Sequence, residues 1–181
     1  MREPLTPQLH FNEFLLWEER QSEKYESHHG FVFAFAGGSV DHAQISANLV
    51  AALKKRFPAP CRSFGSDLLV QVGELSGYYP DATVICEDVD PRARFITNPR
   101  LLGEVLSPST RAYDLVDKRA AYRAIPSLEF YVIVHTDARR IEIDRRDRNG
   151  GWATETYESG GEQGDRLLSI SEIYADSSLA E

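Results

Sequence analysis

The sequence predicts an α/β domain in which a mixed central sheet is flanked by helices. Three observations predict it. Apolar residues between 41 and 57 recur at helical spacing. Short apolar runs at 66–72, 82–86, 101–106 and 130–134 read as strands. A second helical stretch separates the last two runs. A strand, a helix and a further strand in that order require a crossover, and so at least one parallel pairing.

The elements follow in chain order. Phe11 to Arg20 reads as a short helix, with Phe11, Phe14, Leu15 and Trp17 on one side. Lys24 to His28 and Phe31 to Phe35 flank His29-Gly30, the pattern of a β-hairpin. Asp41 to Phe57 is the clearest amphipathic helix. Ile45, Leu49 and Leu53 repeat every four residues, Asp41 is positioned to cap the first turn, and Pro58 stops the helix. Ser66 to Val72, Ala82 to Cys86 and Leu101 to Leu106 are strands, the middle one apolar enough to be buried. Ala112 to Ala124 forms the next helix and ends before Pro126. Phe130 to Val134 has high β-propensity. Arg140 to Asp144 and Trp152 to Tyr157 form a C-terminal antiparallel extension, turning at Asn149-Gly150. Ile170 to Tyr174 reads as a last helical turn.

The chain has 181 residues, which fits one domain over 1–181 with its core at about 41–135. Glycine pairs at Gly37-Gly38 and Gly160-Gly161 are turn-sized and mark no linker. No apolar run is long enough to span a membrane, and Met1-Arg2-Glu3-Pro4 does not open a signal peptide, so a cytoplasmic location is expected. Cys61 and Cys86 make neither a disulfide framework nor a zinc site, and both read as buried small hydrophobes. The net charge of −8 argues against broad nonspecific binding to nucleic acid, which needs clustered cations. Bound metal ions can supply positive charge locally, so a metal-dependent nuclease is not excluded. Lys54-Lys55-Arg56, Arg139-Arg140 and Arg145-Arg146 read as solvated surface.

Two carboxylates stand out. Asp81 opens one apolar strand after Pro80, and Glu104 lies within Leu101-Leu102-Gly103-Glu104-Val105-Leu106. On neighbouring strands they would converge at one edge of the sheet. Two hard oxygen donors with room for water suit Mg2+ or Mn2+. The plain alternatives are a turn residue for Asp81 and a strand-end surface charge for Glu104. The second is the weaker, because an unpaired charge inside an apolar run is costly to bury. Asp114, Lys118 and Tyr122 are spaced by four and share a helical stripe, which could be no more than a surface ion pair.

Tyr79-Pro80-Asp81, Glu104-Val105-Leu106-Ser107-Pro108-Ser109-Thr110, Tyr113-Asp114, Lys118, Tyr122 and Ile125-Pro126-Ser127-Leu128 together resemble the Uma-two family. That family belongs to the PD-(D/E)xK nuclease superfamily. The likeness extends upstream to Tyr25-Glu26, Gly30, His42, Asn48 and Ser66-Asp67. It implies a restriction-endonuclease-like core, with Asp81 and Glu104 binding the metal. The superfamily lysine belongs two residues after the glutamate, where this chain has Leu106; the resemblance moves it to the next helix, as Lys118. It also brings Glu26 and His42 to the same site as accessory catalytic residues. Asp67 is either a further site residue or a partner for a strand-edge amide. Ser107, Ser109 and Thr110 read as helix caps rather than nucleophiles.

The resulting expectation is a Mg2+-dependent endonuclease acting on DNA, with no membrane partner. A homodimer is compatible, since a two-fold pair suits cutting both strands. Two other readings stay open: a nuclease-fold binding module without catalysis, and a phosphodiesterase for a smaller substrate.

Overall fold

The computed structural model describes residues 7–35, 37–107, 111–158 and 167–180. Met1-Arg2-Glu3-Pro4, Pro108, Ser109, Thr110 and Gly160-Gly161 lie outside them. No helix among the described residues is long and apolar enough to cross a membrane.

The chain runs α1 (Phe11–Glu18), β1 (Tyr25–His28), β2 (Phe31–Ala34), α2 (Val40–Arg56), β3 (Arg62–Phe64), β4 (Leu69–Val72), β5 (Ser76–Tyr78) and β6 (Ala82–Ile85). It continues through β7 (Phe95–Ile96), β8 (Leu101–Val105), α3 (Arg111–Tyr113), a π-helical turn (Asp114–Lys118) and α4 (Arg119–Arg123). It closes with β9 (Phe130–Val134), β10 (Arg140–Arg146), β11 (Trp152–Glu158) and α5 (Ile170–Ile173).

Two mixed sheets form where one central sheet was expected. A six-stranded sheet has the order β11-β10-β9-β8-β6-β3, and a five-stranded one β2-β1-β5-β4-β7. The expected crossover is present: β8 and β9 pair in parallel, joined through α3, the π-turn and α4. A second parallel pair, β4 with β7, belongs to the smaller sheet. The smaller sheet absorbs the predicted hairpin, whose turn is made by His29 at φ +50° and Gly30 at φ +83°.

Each face of the larger sheet has its own core. Side chains alternate along β8, so Leu101 and Val105 point one way and Leu102 and Leu106 the other. The first face packs under α2, whose Ile45, Leu49 and Leu53 are all fully buried. Each such side chain contributes about 2 kcal/mol. Gly103 allows α2 to come this close, since a Cβ there would sit 3.0 Å from Leu49 Cδ2. The second face packs Tyr122, Tyr131 and Ile133 against Tyr78 and Val70 of the smaller sheet. By the same alternation Glu104 belongs to this second face, a carboxylate at a core position.

Several expectations are corrected in detail. Ser39, not Asp41, caps α2: its hydroxyl accepts from the His42 amide at 3.2 Å. Asp41 instead accepts from the Ser178 amide at 3.0 Å and fastens the C-terminal segment. The strand expected at Ser66 starts at Leu69, and the first helix ends at Glu18 rather than Arg20. The predicted helix 112–124 is broken by the π-turn.

The cysteines are not separate small hydrophobes. Cys61 and Cys86 form a disulfide. β3 and β6 are antiparallel with Arg62 opposite Ile85, so the residues one step beyond face each other. A three-residue strand with no apolar alternation gave no sign of that register.

Candidate functional site

The site forms where the two sheets meet, at the N-terminal end of β6 and the C-terminal end of β8. These strands are antiparallel neighbours, with Ala82 opposite Gly103. Asp81, just before β6, therefore arrives beside Glu104. One carboxylate oxygen of Asp81, Oδ2, accepts from the Val105 amide at 2.8 Å, which ties it across to β8. The same oxygen lies 3.4 Å from His42 Nε2. His42 sits in the first turn of α2, and its Nδ1 lies 3.5 Å from Ser46 Oγ. Gly38 packs directly on the His42 imidazole, so closely that a Cβ would overlap the ring.

Glu104 is met from the other side by the crossover helix. Its Oε1 accepts from the Tyr122 hydroxyl at 2.8 Å and from Lys118 Nζ at 3.2 Å. Lys118 also donates to Glu26 Oε1 at 2.9 Å and lies 3.6 Å from Asp114 Oδ1. Glu26, on β1, is held in turn by the Tyr79 amide at 3.1 Å. Glu26, Asp81, Glu104, Asp114 and Lys118 are all buried.

Of the five sequence-predicted residues, Asp81, Glu104, Lys118 and His42 line one small cavity, and Glu26 stands behind Lys118, bonded to its ammonium. Asp67 is elsewhere: exposed, and paired with Lys24. Two participants went unassigned in the sequence reading. Tyr122 and Asp114 belong to the helical stripe and to the motifs of the resemblance, but neither has a role assigned from sequence. The four-residue spacing was the signal for both.

The electrostatics follow from three carboxylates, Glu26, Glu104 and Asp114, gathered about one ammonium, with Asp81 beside them. Burial raises the Glu104 pKa well above the carboxylate range; Asp114, Asp81 and Glu26 add to the rise, and Lys118 opposes it. Burial works against the Lys118 ammonium, but Glu104, Glu26 and Asp114 outweigh it and hold its pKa well above that of an ordinary lysine. The Asp81 hydrogen bond raises the His42 pKa above its usual value, against the effect of burial. Burial also pushes the Tyr78 hydroxyl, whose ring faces Lys118, up to about 12.

Net negative charge in so dry a site calls for a cation. A cavity of about 30 Å3, the volume of one water in the liquid, touches Gly38, His42, Asp81, Glu104, Asp114 and Lys118. Among the described residues no three His, Cys, Asp or Glu side chains form a ready-made metal cage. The donor set nevertheless fits a hard divalent ion that takes two carboxylates and keeps several waters. A zinc-type closed site does not fit, for want of thiolate or clustered imidazole.

Comparison with known proteins matches this chain to a family. The Uma2 family, described as "Putative restriction endonuclease", matches residues 11–179. An "Uncharacterized protein slr1290" of Synechocystis sp. is 36% identical over 156 residues, covering 84% of this chain and 82% of that protein. A second Synechocystis protein, "Uncharacterized protein sll1609", is 34% identical over 145 residues, covering 77% and 82%. The crystal structure of "a putative nuclease belonging to DUF820" from Anabaena variabilis superimposes with a TM-score of 0.70 at 16% identity, over 92% of this chain and 97% of the other. That likeness shows the fold, which is restriction-endonuclease-like.

Proposed function

Because the chain belongs to the Uma2 family, we propose that it is a divalent-metal-dependent nuclease that hydrolyses DNA phosphodiester bonds. The observation that carries this reading is the meeting of Asp81 and Glu104 on adjacent strands with the Lys118 ammonium 3.2 Å from Glu104.

In this reading Asp81 and Glu104 hold Mg2+ or Mn2+. When bound, the ion polarises the phosphodiester and lowers the pKa of an attacking water. Lys118 replaces the lysine missing at Leu106: it orients that water or stabilises charge on the phosphate. Glu26 and Asp114 keep the ammonium charged and aimed. His42, bridging Asp81 and Ser46, exchanges a proton with the site. Two copies related by a two-fold axis would cut both strands of a duplex.

A second reading is supported by the charge. With a net charge of −8 and no arginine in the described lining of the cavity, a smaller phosphodiester meets less repulsion than a DNA duplex.

Calorimetric titration with Mn2+ tests the site. Binding to the native protein that disappears in the Asp81→Ala/Glu104→Ala double variant is the expected result; equal heats for both, or none for either, would count against the metal site. Cleavage assays on plasmid DNA beside bis(p-nitrophenyl) phosphate then separate the two substrate classes.

A further inference from the structure

A larger cavity, about 590 Å3, opens at the C-terminal end of α2 and is lined by Arg56, Phe57, Cys61, Arg100, Phe130 and Arg145 among others. His42 and Arg56 are fourteen residues apart on one helix, so this cavity lies roughly 20 Å from the carboxylate site. Its described lining holds three arginines and no carboxylate. In a chain of net charge −8 the charged side chains of this wall are all cationic, with Glu129 and Glu155 pairing two of them from outside it. The guanidinium of Arg100 lies over Phe57 at 5.5 Å, and that of Arg145 over Phe130 at 5.2 Å. Each also touches a glutamate that is not part of the lining, Glu129 at 2.9 Å and Glu155 at 3.1 Å. Arg56 is exposed.

A disulfide borders this basic cavity. Cys61 is part of the wall, and its bonded partner Cys86 receives Arg100 NH1 at 3.7 Å from its sulfur. One half of the disulfide thus stands in the cavity wall, and the sulfur of the other half has a cation beside it.

We propose that this cavity is a thiol–disulfide exchange site for an anionic low-molecular-weight thiol, of which glutathione is the type. The volume suits a tripeptide-sized ligand, and exposed Arg56, with the ion-paired Arg100 and Arg145 beside it, offers guanidinium partners to the ligand's carboxylates. The thiolate attacks Cys61 Sγ. A new S–S bond forms to Cys61, the Cys61–Cys86 bond breaks, and its electron pair leaves on Cys86. The Arg100 guanidinium stabilises that departing thiolate, which makes Cys86 the better leaving group. A second thiolate attacks the ligand sulfur of the mixed disulfide and releases the oxidised ligand together with the Cys61 thiolate. Two thiols are thereby oxidised to one disulfide, the protein pair is reduced by two electrons, and the two thiol protons end on Cys61 and Cys86. The exchange removes the covalent tie at the end of the β3–β6 pair, β6 being the strand that Asp81 immediately precedes.

The test needs no nuclease activity, so it stands or falls separately from the metal reading. The native, folded protein is treated with glutathione or with cationic cysteamine at equal thiolate concentration, quenched by alkylation, and followed by intact mass and peptide mapping. Glutathione should open the disulfide about tenfold faster than cysteamine, with the advantage shrinking at high salt. The mixed disulfide should map to Cys61. Arg56→Gln, at an exposed position, should reduce the preference for glutathione, and Arg100→Gln should slow both thiols. Equal rates for the two thiols, an adduct on Cys86, or two free thiols in the isolated protein would overturn the proposal.

Discussion

Lys118 Nζ lies 3.2 Å from Glu104 Oε1, with each side chain only 5% exposed. The pair is not isolated, because Glu26 and Asp114 also approach the ammonium. Removing the lysine leaves buried carboxylates without their cation. Lys118→Met should therefore cost about 3–5 kcal/mol of stability at neutral pH. The loss should shrink in acid, as the carboxylates take up protons and the repulsion disappears. Urea denaturation at neutral and acidic pH measures both effects. A pH-independent loss would mean that packing, not charge, dominates at this position.

Gly38 and His42 give a prediction in which fold and activity separate. A methyl group at residue 38 overlaps the imidazole, which must then swing away from Asp81. Gly38 lies in the loop before α2, outside the buried clusters. Gly38→Ala should thus lower metal-dependent cleavage by tenfold or more, about 1.4 kcal/mol in the barrier, while the thermal midpoint moves little. The His42 ring resonances in an NMR spectrum should shift. Unshifted resonances with full activity would remove the contact from consideration.

Asp144 provides the pH-dependent case. It is fully buried on β10 and accepts from Arg119 at 2.6 and 2.8 Å, from Arg123 at 2.9 Å and from Thr154 at 2.7 Å. Burial opposes its ionisation, but the Arg119 and Thr154 hydrogen bonds and the two arginine charges bring its pKa below the ordinary aspartate value. A carboxyl depressed in the folded state contributes stability above its unfolded pKa and loses it as pH falls through the folded value. Asp144→Asn should accordingly cost about 3 kcal/mol at neutral pH. The variant and the native protein should converge as pH falls below the ordinary aspartate range and through the depressed folded value. Denaturation curves across that range decide it. Arg119 directly follows Lys118, so the same variant should also slow turnover by loosening the helix that carries the lysine.

Helix α2 was legible because its burial is periodic, and the strands of the larger sheet other than β3 because they are short runs of apolar or β-forming residues. Ile45, Leu49 and Leu53 repeat at four-residue spacing and are all fully buried. In the smaller sheet β1, β2 and β4 were legible, and β5 and β7 were hidden. β5 is Ser76-Gly77-Tyr78, with no alternation to read, and its glycine serves to admit the Phe11 ring, 2.7 Å from where a Cβ would stand. β7 is two residues long. The cap of α2 was misread because the partner that occupies Asp41 lies 137 residues away, beyond any local pattern. Asp81 and Glu104 showed as charges in apolar strands, a conflict that local sequence can display. The positions of Glu26 and His42 came only through the family resemblance, since nothing near them in sequence points toward β8. The disulfide depended on a strand pairing that no residue in β3 announced.

The π-turn at Asp114–Lys118 has a consequence for how this chain tolerates changes in length. Each residue in a helix advances the side-chain direction by about 100°, so losing or gaining one residue within 114–118 would rotate Arg119 and Tyr122 off their partners as well as moving Lys118. The wide turn exposes Val116 at 66% while Asp114 and Lys118 on either side stay buried. Side-chain identity at Val116 is therefore open to drift, whereas the residue count around it is fixed. The turn between β10 and β11 is the reverse case. It projects into solvent and is organised by Asp147, whose carboxylate accepts from the Asn149 and Gly151 amides at 2.7 and 2.9 Å. An inserted residue there lengthens a hairpin and leaves the carboxylates undisturbed. Insertions and deletions are thus not equivalent along this sequence, and the segment least able to absorb them is the one that delivers the lysine.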